Sequence, residues 1–317
     1  MKISIIVPCH VDNDVVRECL GKIVKQKNDH ELIIPCDNFD FKYDNAKIIK
    51  SSKKLYANGI RNFGATHASG DYILFLDSDI IIEENFIKKL ENYIIEFKPE
   101  ILNFPTRDER SNNIFAKYKG YKESFQTDLL VNKNKTNKNI KIPFYGYAAL
   151  FNKTIFQKLK GWPEMGEYSF IMEHEEFQKN IYASNIKMDF AENIKVDHYH
   201  HKNFSLFSNV FYRTGIWTTK KLRNEVEIDL FKSNKNAFLS FISILITILF
   251  LINYNWSIYL LIFFIVLDFD FIKNLFIKTK ISFLLYLIIH IIYFNFIFLG
   301  AIKGFTEYYY KKITKKK

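Results

Sequence analysis

The sequence contains little cysteine, with three in 317 residues. Cys9, Cys19 and Cys36 lack the spacing of a metal site, and their odd count argues against a disulfide framework. They are therefore expected to be reduced thiols in a cytosolic domain. No signal peptide is expected either, because the opening segment 1–8 is too short and is typical of a first strand.

No RNA- or DNA-binding motif accompanies the formal net charge of +11, so no nucleic-acid partner is expected. The basic residues cluster on both sides of an apolar C-terminal region, and this placement favours an anionic membrane surface as the partner. The clusters comprise Lys220, Lys221, Arg223, Lys232, Lys235 and residues 311–317.

The strongest local signal lies in residues 56–80. A turn at 69–71 is followed by the apolar run Tyr72–Leu76, which is typical of a buried strand at the centre of a parallel sheet. Asp77 and Asp79 follow directly, at the edge where open α/β sheets bind ligands. Two carboxylates there suit Mg²⁺ or Mn²⁺ carrying a diphosphate; the alternative is that they cap a following helix.

The residues around this strand resemble the block G…RN.G…A.GDyilFLDsD of family 2 glycosyltransferases with the GT-A fold. The residues that carry the resemblance are Gly59, Arg61, Asn62, Gly64, Ala68, Gly70, Asp71 and 75–79. The resemblance implies a nucleotide-sugar-dependent, metal-dependent, inverting transferase of the membrane-attached bacterial type.

Apolar periodicity predicts a strand at 2–8, a helix at 15–25 and a strand at 31–35, an alternation that implies a parallel sheet. The predicted fold class is α/β. A GT-A, Rossmann-like, mostly parallel central sheet flanked by helices is followed by a C-terminal membrane helical region. The predicted domains are a catalytic domain (1–202), an amphipathic interfacial or linker helix region (203–236), transmembrane helices (237–303) and a basic cytoplasmic tail (304–317).

The resemblance also assigns a donor-binding role to four residues. Pro8 matches the end of the family's first strand, and Asp37 matches an acidic residue that holds the nucleoside. The family's D-x-S-x-D continuation is missing after Asp37, which leaves a simple loop aspartate as the alternative. Arg61 is expected near the diphosphate or base, with a surface arginine as the alternative, and Asp77 is expected to serve both donor and metal.

Three residues are predicted to bind the metal, namely Asp77, Asp79 and His198. Family members often carry a histidine at the position of His198 that reaches back to the metal, and an imidazole beside carboxylates suits Mn²⁺. A zinc site built from His198, His200 and His201 is the alternative, although no cysteine or fixed spacing supports it.

The acidic segment 173–177 resembles the family pattern ED.DL. Glu173 and Glu176 align with its acids, and His174 stands where the family usually places its catalytic aspartate. An inverting transfer needs one group to take the proton of the acceptor hydroxyl. His174, as a neutral imidazole, or Glu173 is the predicted base, with Glu176 third. The alternative is a helix N-terminus whose acids suit its dipole.

Other segments are predicted to have structural roles. Residues 83–97 form an amphipathic packing helix, and residues 145–151 and 153–159 form a strand and a short helix. Between 106 and 142, apolar periodicity is lost among lysine and asparagine, which predicts a mobile loop. A plain surface insertion is expected there, with a lid as the alternative.

The C-terminal region contains an amphipathic segment, 203–224, and three apolar blocks, 237–252, 256–267 and 281–302. The amphipathic segment suits a helix in the headgroup region or one packed under the catalytic domain. The third block is long enough to span a bilayer and the first is at the short limit. Two spans keep the lysine-rich tail cytoplasmic and are preferred over three.

The predicted function is transfer of a sugar from a nucleotide-diphosphate donor to a lipid-linked or cell-surface glycan acceptor. The expected location is the cytoplasmic face of the inner membrane, with Mn²⁺ or Mg²⁺ as cofactor and membrane lipids as a further partner. Loading of polyprenyl phosphate is one alternative, and a non-catalytic nucleotide-sugar-binding scaffold is another. A nucleotidyltransferase is weaker, because no Gly-rich signature follows the first strand. The sequence does not indicate which sugar and nucleobase the donor carries, which linkage is formed or which oligomeric state the protein adopts.

Overall fold

A computed structural model describes residues 1–27, 29–37, 41–107, 113–136, 144–164, 169–199, 205–222, 234–252 and 254–314. The chain divides into two compact units. The sheet unit comprises Met1–Arg110 and Gln126–Tyr199, and the helical unit comprises Ser111–Phe125 and His200–Lys317.

The sheet unit alternates strands and helices from its first residues onward. Its strands are β1 (Ile3–Ile6), β2 (His30–Asp37), β3 (Lys47–Ser51), β4 (Tyr72–Leu76), β5 (Ile80–Ile82), β6 (Ile101–Asn103), β7 (Thr106–Arg107), β8 (Ala148–Asn152), β9 (Met188–Phe190) and β10 (Val196–His198). Its helices are α1 (Asp14–Val24), α2 (Ala57–Thr66), α3 (Phe86–Phe97), α5 (Lys153–Lys158), α6 (Ser169–Ala183) and the second part of α4 (Ile114–Thr136).

Within the described residues, seven strands form the main sheet in the order β3-β2-β1-β4-β8-β6-β9, and β5, β10 and β7 form a small second sheet. The pairs β3–β2, β2–β1, β1–β4 and β6–β9 are parallel, whereas β8 runs antiparallel to β4 and β6. The main sheet is therefore mostly parallel, with β4 at its centre and all five residues of β4 buried. This confirms the predicted fold class.

The predicted strand at 145–151 begins three residues too early, because β8 starts at Ala148. The backbone N–H of Tyr145 donates to the side-chain oxygen of Asn103 (3.2 Å), and that of Gly146 donates to Nδ1 of His174 (3.0 Å). These backbone groups are satisfied by side chains, so they do not join the strand ladder.

The prediction of a loop over 106–142 is wrong for its central part, where α4 spans Ile114–Thr136. Asn113 caps the helix by accepting a hydrogen bond from the backbone N–H of Ala116 (2.8 Å). Lysine, glutamine and glutamate are adequate helix formers. These polar residues hide the apolar periodicity of the segment, but they still support a helix.

Glu31 anchors the amino-terminal edge of the main sheet. Its carboxylate accepts hydrogen bonds from the Ser4 hydroxyl, the Ser69 hydroxyl (2.9 Å) and the Gly70 backbone N–H (3.2 Å). Burial opposes ionisation of Glu31, but the hydrogen bonds from Ser4 and Ser69 and the charge of Lys2 outweigh it and lower its pKa from 4.5 to about 2.

Replacing Glu31 with glutamine should lower the free energy of unfolding by about 1–3 kcal/mol at pH 7. Because the folded-state pKa is depressed, the contribution is present above pH 4.5 and is lost as pH falls toward 2. Chemical denaturation of both proteins between pH 7 and pH 4 should therefore show a difference that begins to shrink near pH 4.5. The matched variant Glu96→Gln, on the exposed face of α3, should change stability by less than about 0.5 kcal/mol. A difference independent of pH would contradict the assignment.

The helical unit contains the first part of α4 and five further helices in its described residues. They are α7 (Ser205–Leu222), α8 (Asn234–Ile252), α9 (Tyr254–Leu267), α10 (Phe269–Thr279) and α11 (Phe283–Thr314). Helix α7 packs closely against α11 through glycine. A Cβ at Gly304 would lie 2.4 Å from the carbonyl oxygen of Gly215, and one at Gly300 would lie 2.4 Å from that of Phe211. Small residues at such a crossing allow close backbone approach.

Polar groups inside the helical unit pair with one another. The Tyr118 hydroxyl lies 2.7 Å from Nδ1 of His290, and Nε2 of His290 lies 3.0 Å from a carboxylate oxygen of Asp268. The ammonium group of Lys122 lies over the ring of Tyr293, 4.2 Å from its centroid. Pairing offsets the cost of placing these groups among apolar helices.

Helix α11 is the one helix among the described residues that has the length and apolar composition to cross a membrane. The apolar parts of α8 (Asn236–Ile252) and α9 (Asn255–Leu267) are shorter. These helices expose large apolar side chains, including Leu251 and Leu284, which are 82% and 71% exposed. The preference for two spans stays a prediction.

Candidate active site

A cleft of about 330 Å³ opens at the carboxyl ends of β1 and β4. The two strands are parallel neighbours, so the residues that follow them meet at one edge of the sheet. The cleft is lined by Pro8, His10, Ala57, Arg61, Asp77, Ser78, Asp79 and His174. Five of the residues predicted from the sequence thus lie together: Pro8, Arg61, Asp77, Asp79 and His174.

Arg61 reaches this cleft from α2 and is bonded to Asp77. One guanidinium nitrogen donates to a carboxylate oxygen of Asp77 at 2.6 Å, and the side chain of Arg61 is 5% exposed. The guanidinium also lies over the ring of Trp162, 4.8 Å from its centroid. The alternative of a surface arginine is therefore wrong, and the site holds a buried, paired positive charge.

The turn after α5 is fixed to α2 by two asparagines. Asn62 donates to the Trp162 carbonyl (2.9 Å) and accepts from the Trp162 backbone N–H (2.8 Å), while Asn58 donates to the Pro163 carbonyl (2.6 Å). Gly161 adopts a positive φ of 73° at this turn. The result is that Trp162 is held under Arg61.

Asp79 and His198 meet through the small sheet. Residues Ile80 and His198 are partners in the antiparallel pair β5–β10, and the Tyr199 backbone N–H donates to the Asp79 carbonyl (2.8 Å). This register places Nε2 of His198 3.5 Å from a carboxylate oxygen of Asp79. The ring of Tyr147 packs on His198 at a centroid separation of 5.1 Å.

Asp79 lines the cleft, and His198 does not line it but lies 3.5 Å from the Asp79 carboxylate. Together they offer a carboxylate oxygen and an imidazole nitrogen, a donor set that suits Mn²⁺. In the described part of the chain, no group of three or more histidine, cysteine or acidic residues is assembled for a metal ion. A metal that carries a diphosphate needs only one or two protein carboxylates, because phosphate and water oxygens complete its coordination. The residues present therefore fit such a cation.

His174 projects from α6 to the cleft, where its Nδ1 accepts the Gly146 backbone N–H. Glu176 instead forms an ion pair with Lys179 at 3.0 Å and is not among the residues that line the cleft. The side chain of Glu173 lies outside the described residues.

For three other predicted positions, the structure describes no side chain. Asp37 ends β2, the strand beside β1, but its side chain lies outside the described residues. His200 and His201, which belong to the zinc alternative, lie outside them as well.

Sequence reasoning missed several residues of the site. His10, Ala57 and Ser78 line the cleft without having been assigned a role. Asn62 belongs to the RN pair of the family block. That pair was a signal in the sequence for the two hydrogen bonds by which Asn62 holds the backbone of Trp162. Nothing local marks Trp162 itself, because its partners on α2 are distant in sequence.

All three thiols lie buried in the core of the sheet unit. Burial, together with the neighbouring Cys36 and Asp12, raises the pKa of Cys9 to about 12. Burial also raises the pKa of Cys19, whose thiol lies 3.9 Å from the Asp77 carbonyl oxygen. The Cys9 and Cys19 thiols therefore stay protonated at neutral pH, which agrees with a structural role.

The mostly parallel sheet, with a cleft at the carboxyl ends of its central strands, has the architecture of the GT-A fold. Residues 4–160 match the model of the family described as Glycosyl transferase family 2. Through these residues, the chain belongs to this family of glycosyltransferases.

Two relatives match the N-terminal region. Glycosyltransferase GlyG of Streptococcus pneumoniae is 28% identical over 127 residues, which is 36% of this chain and 42% of that protein. Poly(ribitol-phosphate) beta-glucosyltransferase of Bacillus spizizenii is 32% identical over 116 residues, 32% of this chain and 18% of that protein. The match thus spans less than half the length of either relative.

Among solved structures, the chain is similar to mannosyltransferase PcManGT from Pyrobaculum calidifontis, described in complex with GDP-Man and Mn²⁺. The TM-score is 0.52 at 11% identity, with 96% of this chain and 86% of that chain covered. This structural similarity indicates that the two chains share a fold.

Proposed function

We propose that this protein is an inverting, metal-dependent transferase. It moves a sugar from a nucleotide-diphosphate donor to a lipid-linked or cell-surface glycan at the cytoplasmic face of the membrane. The observation that carries the proposal is the convergence of Arg61, Asp77, Asp79 and His174 on one cleft at the carboxyl edge of the sheet.

The donor would bind with its diphosphate in this cleft. Arg61 supplies a buried positive charge whose orientation is fixed by Asp77 and Trp162. Because the guanidinium is held in place before the reaction, it can stabilise the negative charge that develops on the leaving diphosphate without having to reorient. Pro8 and Asp37 would support the nucleoside at the ends of β1 and β2.

Asp79 and His198, with Asp77 beside them, would hold the divalent cation. When bound, Mn²⁺ or Mg²⁺ supplies positive charge that stabilises the leaving diphosphate. The carboxylates of Asp77 and Asp79 make this part of the cleft negatively charged. The ring of Tyr147 packs on the ring of His198 and supports it.

Inversion requires attack of the acceptor hydroxyl on the face of the sugar opposite the diphosphate, with one protein group taking its proton. The candidates are Glu173, His174 and Glu176, all on α6. The ion pair of Glu176 with Lys179 favours the other two.

Attachment to the membrane is proposed for the helical unit. Its exposed apolar side chains, the length of α11 and the basic residues at 311–317 support this location. The apolar residues would contact lipid chains while the lysines face anionic headgroups. A lipid-linked acceptor would then share the membrane with the enzyme.

The purified full-length protein should transfer labelled sugar from one member of a panel of UDP- and GDP-sugars to lipid-linked acceptors in the presence of Mn²⁺. The metal requirement predicts that EDTA stops turnover and that excess Mn²⁺ or Mg²⁺ restores it. NMR of the product should show an anomeric configuration opposite to that of the donor.

Full activity in EDTA would contradict the metal dependence, and retention of configuration would contradict inversion. Donor binding, seen as a thermal shift, without any transfer or hydrolysis would contradict the proposed reaction.

A further inference from the structure

We infer that His174 is a hydrogen-bond donor to a phosphate oxygen of the bound sugar nucleotide, and is not the base of the reaction. This inference rests on the proposed function, because it assigns a role within the same cleft. It differs from the family pattern, in which an acid at this position accepts a proton.

The first observation is the contact between Gly146 and His174. The backbone N–H of Gly146 donates to Nδ1 of His174 at 3.0 Å. A backbone N–H can only donate, so Nδ1 must carry its lone pair toward Gly146. In the neutral ring the proton is then on Nε2.

The second observation is the tight packing that fixes this ring. A Cβ at position 146 would lie 2.1 Å from Nδ1 and 2.4 Å from Cε1 of His174, so only glycine allows the approach. Phe144 and Trp162 flank the imidazole, with ring centroids 6.3 Å and 6.5 Å away. The side chain is held with its Nδ1 edge on the backbone.

A base needs an available lone pair, and in this arrangement neither ring nitrogen provides one. Nδ1 uses its lone pair on Gly146, and Nε2 already carries a proton. The imidazole could accept a second proton only if the Gly146 contact broke.

The surroundings indicate an anionic oxygen as the acceptor of this hydrogen bond. Arg61 lies over the same indole of Trp162 that His174 contacts, and both residues line the cleft. The Arg61 guanidinium is a charged hydrogen-bond donor, and the neutral imidazole of His174 is a second donor. Two such donors beside one aromatic ring suit a diphosphate, which has several oxygen atoms that accept hydrogen bonds. A carboxylate at position 174 would instead add to the negative charge of Asp77 and Asp79.

Three substitutions distinguish a donor from a base. In His174→Gln the amide N–H₂ can replace Nε2–H, so kcat/KM should stay within about tenfold of the wild type, whereas His174→Ala should lose about 10²-fold, mainly in kcat. His174→Asp, which restores a proton acceptor, should be no better than His174→Ala. Recovery by aspartate with failure of glutamine would overturn the inference.

The tautomer can be measured in the full-length wild type without any turnover. Long-range ¹H–¹⁵N correlation spectra of protein labelled with ¹⁵N-histidine, assigned by the signal missing in His174→Gln, should show a protonated Nε2 and an unprotonated Nδ1. A protonated Nδ1 at neutral pH would overturn the assignment. If the wild type turns over no donor, the proposed function fails, and the spectrum still reports the His174 geometry by itself.

Discussion

Replacing Asp79 with asparagine should lower kcat/KM for donor consumption by about 10³-fold or more, a loss of about 4 kcal/mol in transition-state stabilisation. The change keeps the size of the side chain and removes the negative charge that faces His198. It should also raise the Mn²⁺ concentration needed for half-maximal activity, because a neutral amide is a weaker ligand for a hard cation. Steady-state kinetics over a Mn²⁺ titration measure both effects.

The matched variant is Asp71→Asn, which makes the same chemical change at the other end of β4. Asp71 is exposed and accepts a hydrogen bond from the Lys2 backbone N–H at 2.9 Å, so activity should stay within about twofold. Equal activity of Asp79→Asn and wild type, with both proteins folded, would refute the placement of the metal site.

Replacing Gly304 should disrupt the helical unit. The Cβ of an alanine would lie 2.4 Å from the Gly215 carbonyl oxygen and 2.6 Å from Cβ of Thr218, so α7 and α11 must separate. Separation also weakens the hydrogen bond from the Thr219 hydroxyl to the Gly304 carbonyl (3.1 Å). We expect Gly304→Ala to cost about 1–3 kcal/mol and Gly304→Leu to prevent recovery of monodisperse protein. Thermal unfolding and size-exclusion chromatography in detergent measure these effects.

Gly59→Ala is the matched control, because Gly59 is also helical and a Cβ there meets only Leu55, at an ordinary 3.5 Å. Helix propensity predicts that this variant is neutral or more stable by up to about 1 kcal/mol. Normal stability of Gly304→Leu would show that α7 and α11 do not pack as described.

The central strand could be predicted because its signal is local. An apolar run between turn residues, ended by two aspartates, indicates both the buried β4 and the ligand edge of the sheet. Helices α1 and α3 were predicted for the same reason. The helix α4 was missed because its lysine- and asparagine-rich sequence hides the apolar period, although Asn113 was available as a capping signal.

The interior of the site could not be predicted, since it depends on residues that are far apart in sequence. The pair Arg61–Asp77 joins α2 to β4, and the support of Arg61 by Trp162 depends on a turn about one hundred residues later. Likewise, a single sequence does not reveal that Gly146 faces His174. The sequence identified His174 as a departure from the family pattern, while its hydrogen-bonding role depends on the folded geometry.

The three buried cysteines allow partial opening of the sheet unit to be detected. All of them belong to the sheet unit, and the helical unit has none. A thiol-modifying reagent added to intact protein would therefore label molecules whose sheet unit has transiently opened. The labelling rate would measure how strongly a bound ligand protects the sheet unit from opening, without any engineered probe.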